Sequence, residues 1–219
     1  MTDKNQKIEQ VKTKEEIIQL RKSFWESQWA QEDFKPIWAD RDCPIEIQNA
    51  FKDNKISPSH KALDVGCGLG EIAYWFAFNN FKVDAFDISK TAIDKAKKKF
   101  SNEKINFFTH DLCEIPLKEK YDVIVDRGCF HQIPVKLKEE FSKNLSESAS
   151  EHCQFFLFVK AFRGDIKLSK EDEAKFHISH IKQYFSSSFD LLQCKLTNLS
   201  PDITTKKMPG LFFYLTKKS

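Results

Sequence analysis

The chain has no C-x-x-C pair and no histidines at metal-ligand spacing among its six cysteines and six histidines. Neither a zinc site nor a disulfide framework is therefore expected. No apolar run is long enough to cross a bilayer, since the longest, such as Phe155 to Val159, are strand-sized. The N-terminus, Met1-Thr2-Asp3-Lys4-Asn5-Gln6-Lys7, is polar and lacks the apolar core of a signal peptide. These absences lead us to expect a cytoplasmic protein with reduced thiols, no membrane association and no bound metal. A charge field of one sign is missing too: 35 Lys and Arg against 32 Asp and Glu leave a formal net charge of +3. The densest basic run, Lys97-Lys98-Lys99, closes a helix, where cations favour the dipole and face water, so no nucleic-acid partner is expected. There is no internal repeat and no low-complexity linker, and 219 residues suit one α/β domain with a full core. A single domain, 1–219, acting as a monomer is the expectation.

Glycine is scarce, with six residues, and three of them stand within Leu63-Asp64-Val65-Gly66-Cys67-Gly68-Leu69-Gly70. Ala62, Leu63 and Val65 read as a buried strand, and Ile72, Ala73, Phe76 and Ala77 recur at helical spacing after it. The glycines therefore fall on a strand-to-helix turn. Lacking a Cβ, such a turn bends through positive φ and lays its backbone N–H groups against a ligand. The helix N-terminus adds donors for carboxylates, phosphates or ribose hydroxyls. The layout suits a nucleotide-like ligand.

From Thr13 to about Gln31 the spacing predicts a helix, because Thr13 and Glu16 match a capping box and Ile17, Leu20, Phe24, Trp25 and Trp29 share a broad face. Phe34, Pro36, Ile37 and Trp38 follow in a loop, and a second helix is expected from Pro44 to about Lys52. Strands are expected near 61–65, 82–87, 105–109, 121–125 and 153–160, separated by helices near 71–79, 89–100 and 134–147. Val123-Ile124-Val125 and Phe155-Phe156-Leu157-Phe158-Val159 are continuous apolar runs, the pattern of parallel strands buried on both faces. A helix from about Lys170 to Phe185 precedes strands at Asp190 to Thr197 and Leu211 to Thr216. No helical pattern separates these last two, so they form an antiparallel pair. The expected architecture is a doubly wound α/β fold with a mostly parallel seven-stranded sheet and an antiparallel C-terminal strand pair.

In an open parallel sheet the ligand crevice lies beyond the carboxyl ends of the strands, where strand order reverses. Acidic residues stand at four successive strand ends: Asp64 before the glycine turn, Asp87-Ile88-Ser89, His110-Asp111-Leu112, and Asp126-Arg127-Gly128-Cys129-Phe130-His131. Each could be a helix cap or loop residue, and Asp87 directly precedes a helix start at Ser89. As ligand contacts, Asp87 could accept both ribose hydroxyls. Asp111 could accept from an adenine amine with the Leu112 backbone beside it, and Asp64 could orient the glycine turn or meet an ammonium. His131 could accept a proton from an acceptor or cap the helix that follows.

The glycine spacing is G-x-G-x-G with an acidic residue two positions ahead, not the G-x-G-x-x-G of dinucleotide sites. Here the sequence resembles class I S-adenosylmethionine-dependent methyltransferases. Ala62 to Gly70, Phe86-Asp87-Ile88-Ser89, Asp111-Leu112 and Tyr121 to Gly128 look like their first four motifs, in order, over about residues 60–165. The resemblance implies a Rossmann-like fold and S-adenosyl-L-methionine as cofactor, held through Asp64, Gly66, Cys67, Gly68, Gly70, Asp87, Ile88, Asp111, Leu112 and Asp126. A narrower likeness, to the thiopurine and tellurite-resistance group of small-molecule methyltransferases, rests on Phe24-Trp25, Trp29, Pro36, Trp38, Asp126-Arg127-Gly128 and Phe130-His131. It implies an N-terminal helical, aromatic lid over 1–55 that includes Trp29 and Trp38, a cofactor-binding core over 56–165, and a C-terminal helix and strands over 166–219. It also implies Arg127 as an active-site contact. The same tryptophans could equally be plain core. That group's Pro-Gly-Gly turn before strand five is absent, and Ser146-Glu147-Ser148-Ala149-Ser150-Glu151 stands in its place. No Asp/Asn-Pro-Pro-aromatic run of the kind that presents carbonyls to an amine follows strand four, so a small thiol or other chalcogen acceptor is expected. Three rivals stay open: a nicotinamide-dependent oxidoreductase, a cofactor-binding module without turnover, and a protein or RNA methyltransferase, for which the sequence shows no appended recognition surface.

Overall fold

The computed structural model describes residues 13–34, 36, 42–161, 170–199 and 208–218, with the backbone alone within 170–176. Trp38 and Ile37 therefore lie outside the described residues. Helices α1 (Lys14–Ala30) and α2 (Ile45–Lys52) lead into β1 (Lys61–Val65), α3 (Glu71–Phe78), β2 (Lys82–Asp87), α4 (Lys90–Lys99), β3 (Ile105–Thr109) and β4 (Tyr121–Arg127). After a 3-10 turn (Phe130–Gln132) come α5 (Val135–Glu147), β5 (Ala149–Lys160), α6 (Lys170–Phe185), β6 (Phe189–Asn198) and β7 (Pro209–Lys217).

The seven strands form one sheet in the order β3-β2-β1-β4-β5-β7-β6. Every pairing among β1 to β5 is parallel, and β7 runs antiparallel to both β5 and β6. The antiparallel pair thus inserts its second strand between β5 and β6. Strand order reverses between β1 and β4, so the crevice opens over the glycine turn. The continuous apolar runs are explained by burial on both faces. Phe155 and Leu157 join a cluster with Ile17 and Ile18 of α1, Leu137, Phe141 and Leu145 of α5, and Ile181 and Phe185 of α6. Their neighbours Phe156 and Phe158 join the opposite cluster, with α2, α3 and α4. Each such side chain contributes about 1.5–3 kcal/mol by burial.

Two local readings change. The capping box forms, with Glu16 N–H donating to Thr13 Oγ1 and Thr13 N–H to Glu16, but α1 is rotated from the expected face. Its buried residues are Ile17, Ile18, Arg21 and Trp29, while Leu20 and Phe24 are half exposed. The reason is Arg21: a guanidinium that finds a buried carboxylate can occupy the apolar stripe and turn the helix. Where Pro-Gly-Gly was missing, serines close the helix. Ser146 Oγ and Ser148 Oγ donate to the Ser142 and Asn144 carbonyls at 2.7 and 2.9 Å, and β5 begins at Ala149 with a register shift against β4.

Candidate active site

The glycine turn is held from beneath by β2. Cys67 N–H donates to the Phe86 carbonyl at 2.8 Å, and Gly68 N–H donates to Asp87 Oδ2 at 3.1 Å. Asp87 Oδ1 accepts from Ser89 N–H at 2.9 Å, while Ser89 Oγ caps α4 through Ala92 N–H. One carboxylate thus ties the turn to the start of the next helix and keeps a lone pair on each oxygen. Gly66 and Gly68 take φ of +66° and +54°. A Cβ on Gly66 would stand 2.8 Å from Cys129 Cβ, and one on Gly68 would stand 3.3 Å from the Trp29 ring. The turn lies within van der Waals reach of its surroundings, and only glycine fits there.

A cleft opens above it, lined by Gly66, Cys67, Gly68, Leu69 and Glu71 from the turn, Asp64 beneath, and Asp87 and Ile88 after β2. Asp111 and Leu112 after β3, Arg127 at the end of β4 with Gly128, Cys129, His131 and Gln132 after it, and Lys160 at the end of β5 complete the floor. Leu199 and Met208 close the far end, and Arg21, Trp25 and Trp29 of α1 form the roof. Of the residues singled out from sequence, Trp29, Asp64, Gly66, Cys67, Gly68, Asp87, Ile88, Asp111, Leu112, Arg127 and His131 come together here. Gly70 and Asp126 do not line the cleft, and Trp38 lies outside the described residues.

Both departures have a cause. Gly70 is the left-handed N-cap of α3, where a Cβ would meet the Phe107 ring at 2.7 Å, so it serves helix-to-strand packing. Asp126 was expected just past the strand, but β4 runs two residues further than its apolar core. Asp126 pairs with Val65 and Leu157 inside the sheet. Its carboxylate accepts from Cys129 and Phe130 N–H at 2.8 and 2.9 Å, capping the 3-10 turn.

Asp111 lines the cleft but does not stand free. Arg21 donates to both its oxygens at 3.1 and 3.0 Å, and Cys113 N–H donates to Oδ1 at 2.9 Å. This buried bidentate pair joins α1 to the end of β3. Farther along α1, Glu26 accepts from Ser89 Oγ at 2.6 Å and from Thr91, and Lys95 Nζ donates to the Trp29 carbonyl. Arg21 and Lys160 were not foreseen, and Trp25 was expected only as part of the aromatic N-terminal segment. A strand-end search carried on to β5 finds Lys160, whereas Arg21 has only its helical phase with Ile17 and Trp25 to betray it.

The charges differ along the cleft. Asp64 accepts one hydrogen bond, from Ala73 N–H at 3.1 Å, and forms no ion pair among the described residues. Burial first, then the nearby Glu71, Asp126 and Asp87 carboxylates, push its pKa up to about 8. Burial likewise pushes the Cys67 and Cys129 thiols up. His131 Nδ1 accepts from the Lys160 backbone N–H at 3.4 Å. Burial, reinforced by Lys138, Lys160 and His177, lowers its pKa to about 4, so the ring is neutral at pH 7. Arg127 donates to the Leu199 carbonyl at 3.4 Å.

Residues 62–152 match the family described as Methyltransferase domain. An uncharacterised methyltransferase of Schizosaccharomyces pombe is 36% identical over 103 residues, covering 46% of this chain and 70% of that protein. The chain belongs to the class I S-adenosylmethionine-dependent methyltransferases. The nicotinamide oxidoreductase and turnover-free readings fall with that finding. A more distant relative, the 2-heptyl-1-hydroxyquinolin-4(1H)-one methyltransferase of Mycobacteroides abscessus, is 27% identical over 139 residues, 60% of each chain. The fold recurs in the 1,6-didemethyltoxoflavin-N1-methyltransferase of Burkholderia thailandensis, solved with S-adenosylhomocysteine. Its TM-score is 0.71 and its identity 14%, covering 95% of this chain and 92% of that one. The cofactor of this methyltransferase is S-adenosylmethionine. The cleft fits it on two observations of its own. The glycine turn leaves a cradle that side chains would fill, and the buried Asp64 carboxylate has no cationic partner among the described residues.

Proposed function

We propose that this methyltransferase acts on a small-molecule acceptor, a thiol or other chalcogen nucleophile, through the cleft over the β1/β4 switch point. The observation that carries the reading is the roof. Arg21, Trp25 and Trp29 lie over the cofactor end, fastened by the Arg21–Asp111 pair and by Glu26 on Ser89 and Thr91. A covered cleft suits a compact acceptor better than a polymer. The relative that methylates 2-heptyl-1-hydroxyquinolin-4(1H)-one, also a small molecule, supports the same class.

The residues divide the work. Asp64 receives the cofactor's ammonium, and the free lone pairs of Asp87 accept the ribose hydroxyls while its other two keep the turn and α4 in place. The apolar Ile88 and Leu112 flank the base. The Leu112 backbone serves its edge, since Asp111 is largely committed to Arg21. Gly66, Cys67 and Gly68 bring backbone against the ligand, and Trp29 closes over them. Arg127 and His131 stand where the acceptor arrives. When bound, S-adenosylmethionine supplies a methyl carbon already activated by its sulfonium. The protein's part is therefore to align the acceptor and exclude water. A screen of thiols, selenols, tellurite, amines and phenols, read by S-adenosylhomocysteine release, tests the reading. Turnover confined to small chalcogen acceptors is expected, and silence across every class would overturn it.

A further inference from the structure

The acceptor end of the cleft carries donors and cations. Arg127, Lys160, Gln132 and His131 line it, and neither Arg127 nor Lys160 forms an ion pair among the described residues. His131 is the residue there that could remove a proton, and its hydrogen bonds argue against that role. The Lys160 backbone N–H can only donate, so Nδ1 of the neutral ring is an acceptor and the ring hydrogen sits on Nε2. Nε2 lies 3.3 Å from the Gln132 side-chain amide. That amide can turn end for end and offer its oxygen, while a backbone N–H cannot reverse. With the amide so placed, the ring hydrogen of His131 is given to the Gln132 oxygen, and it is the Gln132 amide that is left with N–H groups to offer the cleft it lines.

We propose that the acceptor enters this site already ionised, and that Lys160 and the Gln132 amide, the latter held in place by His131, keep it as an anion by donating to it, while His131 takes no proton from it. The proposal rests on the small-molecule reading and narrows it to acids ionised near neutral pH: aromatic thiols, selenols and acidic hydroxyls, as opposed to alkyl amines or alcohols. The groups facing His131 agree. Lys138 on α5, Lys160 on β5 and His177 on α6 all disfavour a positive ring. The carboxylates that act on Arg127 are placed for other work: Glu71 is paired with Lys99 at 2.8 Å, Glu46 with Lys195 at 3.5 Å, and Asp64 lies beneath the turn. The reaction then balances without a proton acceptor. The acceptor anion's lone pair forms the new bond to the methyl carbon, the carbon–sulfonium bond breaks with its pair left on that sulfur, and both products emerge neutral at the reacting atoms.

The test compares two thiols, 4-nitrothiophenol, which is ionised at neutral pH, and 2-phenylethanethiol, which is not. In profiles of kcat/KM against pH, the acid limb should sit at each thiol's own ionisation and move when the thiol is changed. His131→Gln, which keeps an N–H donor for the Gln132 oxygen, should leave that limb in place with a loss of a few-fold. His131→Phe should lower kcat/KM about tenfold or more without moving it. Independently of turnover, 15N NMR of the histidines should show His131 with its hydrogen on Nε2 down to about pH 5, as expected for a pKa near 4. A limb at one fixed pH for both thiols that vanishes in His131→Gln, or a hydrogen on Nδ1, would overturn the proposal. So would turnover of alkyl amines with no thiol methylated, which leaves the methyl-transfer reading standing. If no acceptor releases S-adenosylhomocysteine, the small-molecule reading fails, and the NMR result alone decides the role of His131.

Discussion

At the β1–β3 end of the cleft most polar side chains are tied to the protein: Asp87 to Gly68 and Ser89, Asp111 to Arg21 and Cys113, Asp64 to Ala73. At the β4–β7 end, Arg127 reaches a single carbonyl and Lys160 has no carboxylate partner among the described residues. The first end is an assembled mould whose atoms are in place before any ligand arrives. The second is a set of charges mounted on strand tips. A shared cofactor needs the former, and a particular acceptor is chosen by the latter.

Changes at the assembled end should be costly to the fold as well as to binding. The largest effect is expected for Arg21→Ala, which strands the buried Asp111 carboxylate. A loss of about 3–5 kcal/mol in urea unfolding is predicted, with much of it recovered in an Arg21→Met, Asp111→Leu double variant. A loss below about 1 kcal/mol would place the pair among surface bridges. Gly66→Ala comes next. It combines a positive φ with a Cβ against Cys129, and about 2–3 kcal/mol should be lost, whereas Gly68→Ala, at a similar positive φ, meets only the Trp29 ring at 3.3 Å and should cost less. Asp87→Ala should weaken S-adenosylhomocysteine binding in calorimetry by about tenfold or more, and unchanged affinity would remove Asp87 from the ribose role.

A smaller effect is pH-dependent. Asp64 has a folded pKa of about 8, above its ordinary 3.8, so its contribution to stability is full below the unfolded value and is lost as pH rises through the folded one. Asp126, raised by burial to about 7, has the same sign. The melting temperature of the free protein should therefore fall between about pH 4 and 8, and Asp64→Asn should flatten part of that slope.

The contrast between the two ends also governs what was legible in the sequence. Strand cores such as Val123 to Val125 declare themselves by apolar continuity, and the glycine turn by its spacing, so the sheet and the mould were readable. What escaped depends on where side chains turn. Asp126 stands at the end of an apolar run yet lies inside β4, because the hydrogen-bonded strand outlasts its hydrophobic core. Nothing in the sequence singled out Arg21, because its carboxylate partner is 90 residues away. The insertion of β7 between β5 and β6 is set by sheet packing, since an antiparallel pair reads alike in either order. Lys160 required knowing that β5 ends at the same rim as β4.

The most direct test of the division between mould and acceptor end is the proton balance of S-adenosylhomocysteine binding at pH 7, measured by calorimetry in two buffers of different ionisation enthalpy. If Asp64 waits for the cofactor's ammonium, pairing must discharge its proton. Net proton release is predicted for the wild type, and close to none for Asp64→Asn. No release from the wild type, or equal release from both, would contradict the account.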